Sequence, residues 1–318
     1  MPSLLSELEP LIQQLLDRHL AAATEWFPHQ LVPYELATQE TGAPWQPADS
    51  PFGPAVRTAL QLNLLTEDNL PYYHLALASA GRQDGAWGEW TRRWTAEEGR
   101  HAIVLRDFMT VTRAVDPVTL ERERMAHVSR GYYPEAGENA LDGLVYVTLQ
   151  ELATRIAHRN TGVASGNAFA ERLLTRIALD ESLHFAFYRD LACGALELDA
   201  SSMVLAIHRQ VLGFSMPGAG LAGFRRRALR IAAAGIYDLR IHHDQVLSPV
   251  VLTHFRLEGL HNLSDAAEAA RDQVLAFLAR IDASAPATTN VRLGSSPTDT
   301  QPAAANDATA PVPTLPLA

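Results

Sequence analysis

The 318-residue chain contains no lysine; all 26 of its positive side chains are arginine. That excludes a Walker A phosphate loop, which needs its Lys, and any Schiff-base lysine chemistry. Ala and Arg are abundant throughout, so codon bias accounts for the absence. The one cysteine, Cys193, leaves no internal disulfide, as expected for a reducing compartment. No apolar run is long enough to span a bilayer. The segment Met1–Glu7 lacks the basic stretch and apolar core of a secretory signal, so the expected location is cytoplasmic. A net charge of −10 argues against a general nucleic-acid binder, while leaving room for a local basic patch.

What is present is apolar and helical. Hydrophobic residues make up 47% of the chain, enough for a sizeable core. Over 3–24, Leu4, Leu5, Leu8, Leu11, Ile12, Leu15 and Leu16 recur at helical spacing. Residues 28–54 hold six prolines and read as an irregular lead-in carrying Trp45-Gln46-Pro47. From about 55 to 280 the pattern is helical, with breaks near Asp116-Pro117, Tyr132-Tyr133-Pro134, Gly162–Gly166 and Met216–Gly223, and no alternating strand pattern. Four core helices are expected, roughly 55–80, 87–113, 138–162 and 167–194, with Pro71 bending or interrupting the first. The organisation expected is an N-terminal helix and lead-in over 1–54, a helical bundle over 55–282 and a disordered Ala/Pro/Thr-rich tail over 283–318.

Two Glu-x-x-His pairs stand out, Glu98-Gly99-Arg100-His101 and Glu181-Ser182-Leu183-His184. Glu67 precedes the first by about thirty residues and Glu151 precedes the second by about thirty. Trp87, Trp90, Trp94, Glu98, His101, Leu105 and Phe108 share one helical rhythm; Leu173, Ile177, Glu181, His184, Tyr188 and Leu191 share another. The polar residues therefore lie on apolar stripes, not on solvated faces. A single Glu-x-x-His proves little, because Glu258-Gly259-Leu260-His261 has the same spacing with no Glu at the matching offset. The paired set is different. Four buried carboxylates cost several kcal/mol each, in round figures, unless cations compensate, and two divalent ions balance four Glu. Glu oxygen and His nitrogen suit iron or manganese, with no thiolate placed for zinc. One Glu from each of two helices plus Glu-x-x-His from each of two others is the ligand pattern of ferritin-like dinuclear carboxylate bundles. The fold class expected is all-α, a ferritin-like four-helix bundle with additional helices.

The stretches Leu65-Thr66-Glu67-Asp68-Asn69-Leu70-Pro71, Trp94-Thr95-Ala96-Glu97-Glu98-Gly99-Arg100-His101, Gln150-Glu151-Leu152-Ala153-Thr154 and Asp180-Glu181-Ser182-Leu183-His184 closely resemble the soluble acyl-carrier-protein desaturases, from about Trp45 to about residue 260, and look closest to the actinobacterial branch. The resemblance implies two iron ions on Glu67, Glu98, His101, Glu151, Glu181 and His184. It also implies O2-dependent desaturation of a carrier-bound acyl chain, electrons from a ferredoxin-type donor, and a homodimer. It gives Thr154 the place of an active-site threonine on the O2 side, against the plainer reading of a hydroxyl bonded to its own helix. Trp45 and Asp180 match residues linked to electron delivery; Asp180 also reads as an acceptor orienting a ligand histidine, and Trp45 equally as packing. Glu97 reads as a similar outer contact or as solvated. Gly143 and Leu144 match lining positions of an acyl channel, or else mark close helix packing. Two departures are visible: Gly99 replaces the family's Asn, and Leu183 its Arg, which removes a charge near the centre.

Acyl-carrier proteins are acidic, so Arg225, Arg226, Arg227 and Arg230 form a candidate docking patch, with Arg92-Arg93 a second; a solvated helix face is the plain alternative. The literal GxGxxG at Gly218–Gly223 follows Met216-Pro217 between helical stretches and so reads as a helix connection, not a dinucleotide loop. Competing functions are a di-iron acyl hydroxylase, a non-catalytic metal- or carrier-binding paralogue, and a ferroxidase-like protein. The last would need neither an apolar channel nor Thr154.

Overall fold

Proline, glycine and short polar caps decide where the helices of this chain begin and stop. The computed structural model describes residues 4–37, 44–131 and 139–284. Tyr132-Tyr133-Pro134 and the tail beyond Ser284 lie outside the described residues. Among the described residues there is no strand, and the fold is all-α and ferritin-like. The N-terminal pattern forms a short helix α1 (Leu4–Glu7) followed by α2 (Glu9–Ala22). Three single 3-10 turns, Pro28–Gln30, Tyr34–Leu36 and Pro47–Asp49, punctuate the proline-rich lead-in.

The bundle consists of α3 (Pro54–Glu67), α5 (Ala86–Val111), α7 (Ala140–Ser165) and α8 (Ala168–Leu198), with α4 (Leu70–Ala80) and α6 (Pro117–Arg130) between them. The single helix expected over 55–80 is two helices. Pro71 has no N–H to give to the carbonyl four residues back, which is that of Glu67, and its ring crowds that position. The chain breaks at Asp68–Asn69 and Pro71 sits in the first turn of α4, leaving Glu67 as the last residue of α3. The break expected over 162–166 falls only at its end: α7 runs through Gly162 and stops at Gly166, whose φ of 58° is left-handed. Asn167 then caps α8 by accepting from the backbone N–H of Phe169 and Ala170. At Gly162 α7 and α8 approach closely, since a Cβ there would lie 3.2 Å from the Cα of Glu171.

Helices α9 (Ala200–Leu212), α10 (Phe224–Ala233), α11 (Leu239–His242) and α12 (Asp265–Ser284) add to this bundle, and α11 continues as π-helical turns over His243–Leu247 and Pro249–His254. The Gly218–Gly223 segment joins α9 to α10 as turns. Glu258 and His261 are exposed around the 3-10 turn Leu257–Gly259. None of the helices described is long and apolar enough to cross a membrane.

Buried apolar residues form two clusters. One includes Leu60, Leu64, Leu105, Phe108 and Ile177; the other includes Trp90, Trp94, Leu149, Phe185 and Tyr188. Along both α5 and α8 the stripe passes from one cluster to the other, and the polar residues Glu98, His101, Glu181 and His184 fall between. Burying each such Leu or Phe side chain contributes roughly 1.5–3 kcal/mol, so the polar layer is clamped from both sides.

Candidate metal centre

The four bundle helices bring Glu67, Glu98, His101, Glu151, Glu181 and His184 to one layer, all buried. They form two overlapping groups. Glu67, Glu98, His101 and Glu181 make one; Glu98, Glu151, Glu181 and His184 make the other, with the ligand atoms of each group within 4.8 Å of one another. Glu98 and Glu181 belong to both. Glu98 turns Oε2 to His101 Nδ1 (3.3 Å) and Oε1 to His184 Nδ1 (2.9 Å). Glu181 turns Oε1 to His101 Nδ1 (3.4 Å) and Oε2 to His184 Nδ1 (3.7 Å). Of His101 and His184, Glu67 approaches only His101 (3.8 Å), and Glu151 only His184 (3.5 Å). Two carboxylates shared by both groups, two further carboxylates and one imidazole at each end are compatible with a centre of two metal ions.

The residues fit such a pair on two further counts. The inward atoms of the layer are buried without a hydrogen-bond partner: Glu98 Oε1, Glu151 Oε2, both carboxylate oxygens of Glu181, and Nδ1 of His101 and His184. So many orphaned acceptors in one layer call for cations. The carboxyls are also driven apart in acidity. Burial, followed by the charges of Glu98 and Glu181, pushes Glu67 well above the usual carboxylate range, and burial with Glu181 does the same to Glu151. For the bridging pair, burial is outweighed by His101 and His184, and both lie below that range.

The outward atoms are tied instead. His101 Nε2 donates to Asp180 Oδ2 (3.4 Å), which also takes the indole N–H of Trp26 (2.8 Å). His184 Nε2 donates to Glu97 Oε2 (2.9 Å). His158 Nε2 donates to Glu67 Oε1 (2.9 Å) while its Nδ1 faces the Asn63 amide (3.3 Å), and burial holds this ring neutral with a pKa pushed down to about 4. Trp94 Nε1 donates to Glu151 Oε1 (3.0 Å). Such outer contacts fix ring tautomers and carboxylate orientation. Glu97 is thus buried and engaged rather than solvated. Burial on its own would raise its carboxyl, but hydrogen bonds from His184 and His19 hold it far below the usual range.

An apolar cavity of about 520 Å3 runs beside this layer. Trp94 and Gln150 border it at the metal level; Gly143, Leu144 and Val147 continue its wall along α7. A Cβ on Gly143 would meet nothing within 4 Å, so this glycine opens space and does not serve close packing. Thr154 is buried one turn past Glu151, and its hydroxyl is shared between the carbonyls of Gln150 and Glu151, both at 3.1 Å.

Trp45 stands apart from all of this. Its indole N–H donates to the carbonyl of Arg113 (2.9 Å), and the Arg57 guanidinium lies over its ring. The tryptophan that meets Asp180 is Trp26, whose ring is parallel to His101 with centroids 6.3 Å apart and carries the Arg100 guanidinium 4.7 Å above it. In the basic run, Arg225 and Arg226 are exposed, whereas Arg227 binds Glu123 (2.8 Å) and Arg230 reaches Thr58 (3.1 Å). Sequence reasoning missed His158, Trp94 and Trp26. The first two carried a usable signal: His158 lies two helical turns past Glu151, and Trp94 one turn before Glu98. Trp26 comes from the irregular chain between α2 and the proline-rich lead-in, where no periodicity predicts what a side chain will meet.

Comparison with known proteins gives one consistent result. The fatty acid desaturase family model matches residues 2–302. The chain is 44% identical over 262 residues to the acyl-[acyl-carrier-protein] desaturase DesA1 of Mycobacterium tuberculosis, covering 78% of this chain and 76% of that protein. It is 29% identical over 281 residues to the chloroplastic stearoyl-[acyl-carrier-protein] 9-desaturase 1 of Oryza sativa, covering 82% and 70%. The X-ray structure of the acyl-ACP desaturase DesA2 from Mycobacterium tuberculosis superposes with a TM-score of 0.69 at 27% identity, over 86% of this chain and 99% of that one. With its bridged carboxylate–histidine layer and a family match along nearly its whole length, the chain belongs to the fatty acid desaturase family.

Proposed function

We propose that this protein is an acyl-[acyl-carrier-protein] desaturase. It removes two hydrogens from a fatty acyl chain held on an acyl-carrier protein, with two iron ions as resident cofactor and O2 as co-substrate. The observation that carries this reading is the junction of two unlike sites: a ligand layer whose halves share Glu98 and Glu181, and an apolar cavity that reaches it at Trp94 and Gln150. The iron pair, when bound, supplies the oxidising power that an unactivated alkyl C–H bond requires.

The chain's own residues do the rest. The cavity wall of Gly143, Leu144 and Val147 orients the acyl chain and keeps water from it. Trp94 and His158 hold the terminal carboxylates of Glu151 and Glu67 by one oxygen each, leaving the other oxygen for the metal. Thr154 is our candidate for the O2-facing hydroxyl; to act there, Oγ1 must leave the backbone carbonyls it now serves. Electrons from a ferredoxin-type donor enter along Trp26, Asp180 and His101, a chain of contacts from the lead-in to the ligand layer.

The acidic carrier docks at the start of α10. Arg225 and Arg226 are exposed there, in the segment that follows Pro217, a residue of the cavity wall. Arg227 is half-buried and anchors that helix through Glu123, while Arg230 is exposed but tied to Thr58. A cytoplasmic homodimer is the proposed working form. The test is aerobic turnover of acyl-carrier proteins by iron-loaded enzyme with reductase and ferredoxin, read by product mass. Loss of two hydrogens is expected. Gain of one oxygen would make the protein a hydroxylase, and no product at any chain length from protein holding two irons would overturn the enzyme reading.

A further inference from the structure

The two ends of the ligand layer are held by matching outer contacts, and one of these has no counterpart in the role just proposed. At the His101 end the acceptor is Asp180, the residue before bridging Glu181. It takes the N–H of Trp26, a contact from Arg176 four residues earlier on its own helix, and Arg100 at 3.3 Å. At the His184 end the acceptor is Glu97, the residue before bridging Glu98. It takes His19 Nε2 at 2.9 Å, Arg93 four residues earlier at 2.7 Å, and Arg100 at 3.8 Å. Arg100 spans both carboxylates. His19 therefore stands to Glu97 as Trp26 stands to Asp180, and both come from the N-terminal segment.

The geometry of His19 fits a directed contact. The side chain is buried, its Nε2 donates to the Glu97 carboxylate, and its Nδ1 has no hydrogen-bond partner. The ring lies near parallel to His184, centroids 5.8 Å apart, and edge-on to Trp90 at 5.0 Å. Simple anchoring of α2 does not require it. That helix already buries Ile12, Leu15 and Leu16, pairs Arg18 with Asp190, and uses Glu9 to receive the backbone N–H of Ala86. A polar ring with one unsatisfied nitrogen is a costly way to add a contact that apolar residues supply.

We infer that His19 is a positioning residue of the metal centre. It fixes the Glu97 carboxylate and through it the ring of His184, so that α2 works as part of the second metal-binding half. This rests on the reading of the six ligands as a two-metal site. The experiment is anaerobic titration with ferrous iron, followed by Mössbauer spectra of the loaded protein, on wild type, His19→Phe, His19→Gln and Trp26→Phe. Phe keeps the ring packing and loses the donor; Gln keeps an N–H donor. His19→Phe should weaken one of the two sites about ten-fold, in line with loss of an outer partner, and alter one iron environment. His19→Gln should restore it, and Trp26→Phe should alter the other environment. If His19→Phe does not fold, Arg93→Met removes another donor to the same carboxylate and should perturb the same environment. Unchanged affinities and spectra in His19→Phe, or equal disturbance of both irons, would overturn the inference while leaving the two-metal site intact. Wild-type protein that takes up fewer than two irons would overturn the site itself.

Discussion

The ligand layer and the cavity beside it share α5 and α7 and are built on opposite terms. In the layer, four carboxylates and two imidazoles are forced together out of water, and every outward-facing atom is tied to a donor or acceptor while the inward ones are left over. In the cavity, the wall is mostly aliphatic and aromatic, with Ser79, Asn139 and Gln150 among it, and the missing side chain at Gly143 adds room. The layer is intolerant because a lost partner strands a buried charge. The cavity is tolerant because a change of volume alters which ligand fits more than whether the protein folds. Under the proposed function, the difference separates residues that decide whether chemistry occurs from residues that decide on what.

The contrast can be broken first at its strongest point. Glu181→Gln removes a charge shared by both halves, and should abolish tight binding of both metals and all turnover, read by iron content and product formation. Retention of one fully bound iron would show that Glu181 serves only one half. Gly143→Leu is the matching change in the cavity. It should leave iron content intact and gain up to about 1 kcal/mol of helix stability, since glycine is a poor helix former. Turnover of the longest accepted acyl chains should fall about ten- to two-hundred-fold, the scale of a filled methylene site. A uniform loss across all chain lengths would place Gly143 outside the substrate's path. Trp26→Phe should slow turnover driven by the electron donor about ten- to a hundred-fold, whereas Trp45→Phe should leave it unchanged; the reverse ranking would restore Trp45 to the electron route.

The smallest effect lies away from the centre. His242 is buried, stacked on Phe214 at 4.8 Å and hydrogen-bonded to the Tyr237 hydroxyl at 2.8 Å. Burial, then neighbouring His243, push its pKa down to about 4. The unfolded chain binds a proton near pH 6.5, well before the folded protein does. Stability is therefore full above that pH and is lost progressively as pH falls towards 4, by on the order of 3 kcal/mol. Thermal melts of metal-free His242→Phe should show a flatter slope over that window than wild type; equal slopes would remove His242 as its source.

Much of the layer was legible because helices make it so. Glu-x-x-His puts two ligands on one face, and the apolar residues at the same rhythm show that the face points inward. Glu258 and His261 share the spacing but sit exposed around a 3-10 turn, so spacing without a buried stripe carries nothing. The break after Glu67 was partly legible from Pro71, although its place, at the ligand itself, depends on which carbonyl loses its partner. What sequence concealed came from irregular chain and from long-range pairing. Trp26 and Trp45 look alike in the irregular chain after α2, and only the path of that segment past α5 and α8 decides which meets Asp180. The histidine partners of Glu97 were hidden for the same reason, because His19 and His184 lie far from it in sequence.

Anomalous scattering at the iron edge from crystals of iron-loaded protein tests the central claim most directly. The account predicts two peaks, one against Glu67 and His101 and one against Glu151 and His184, with Glu98 and Glu181 between them. A single peak, or peaks away from these six residues, would contradict it.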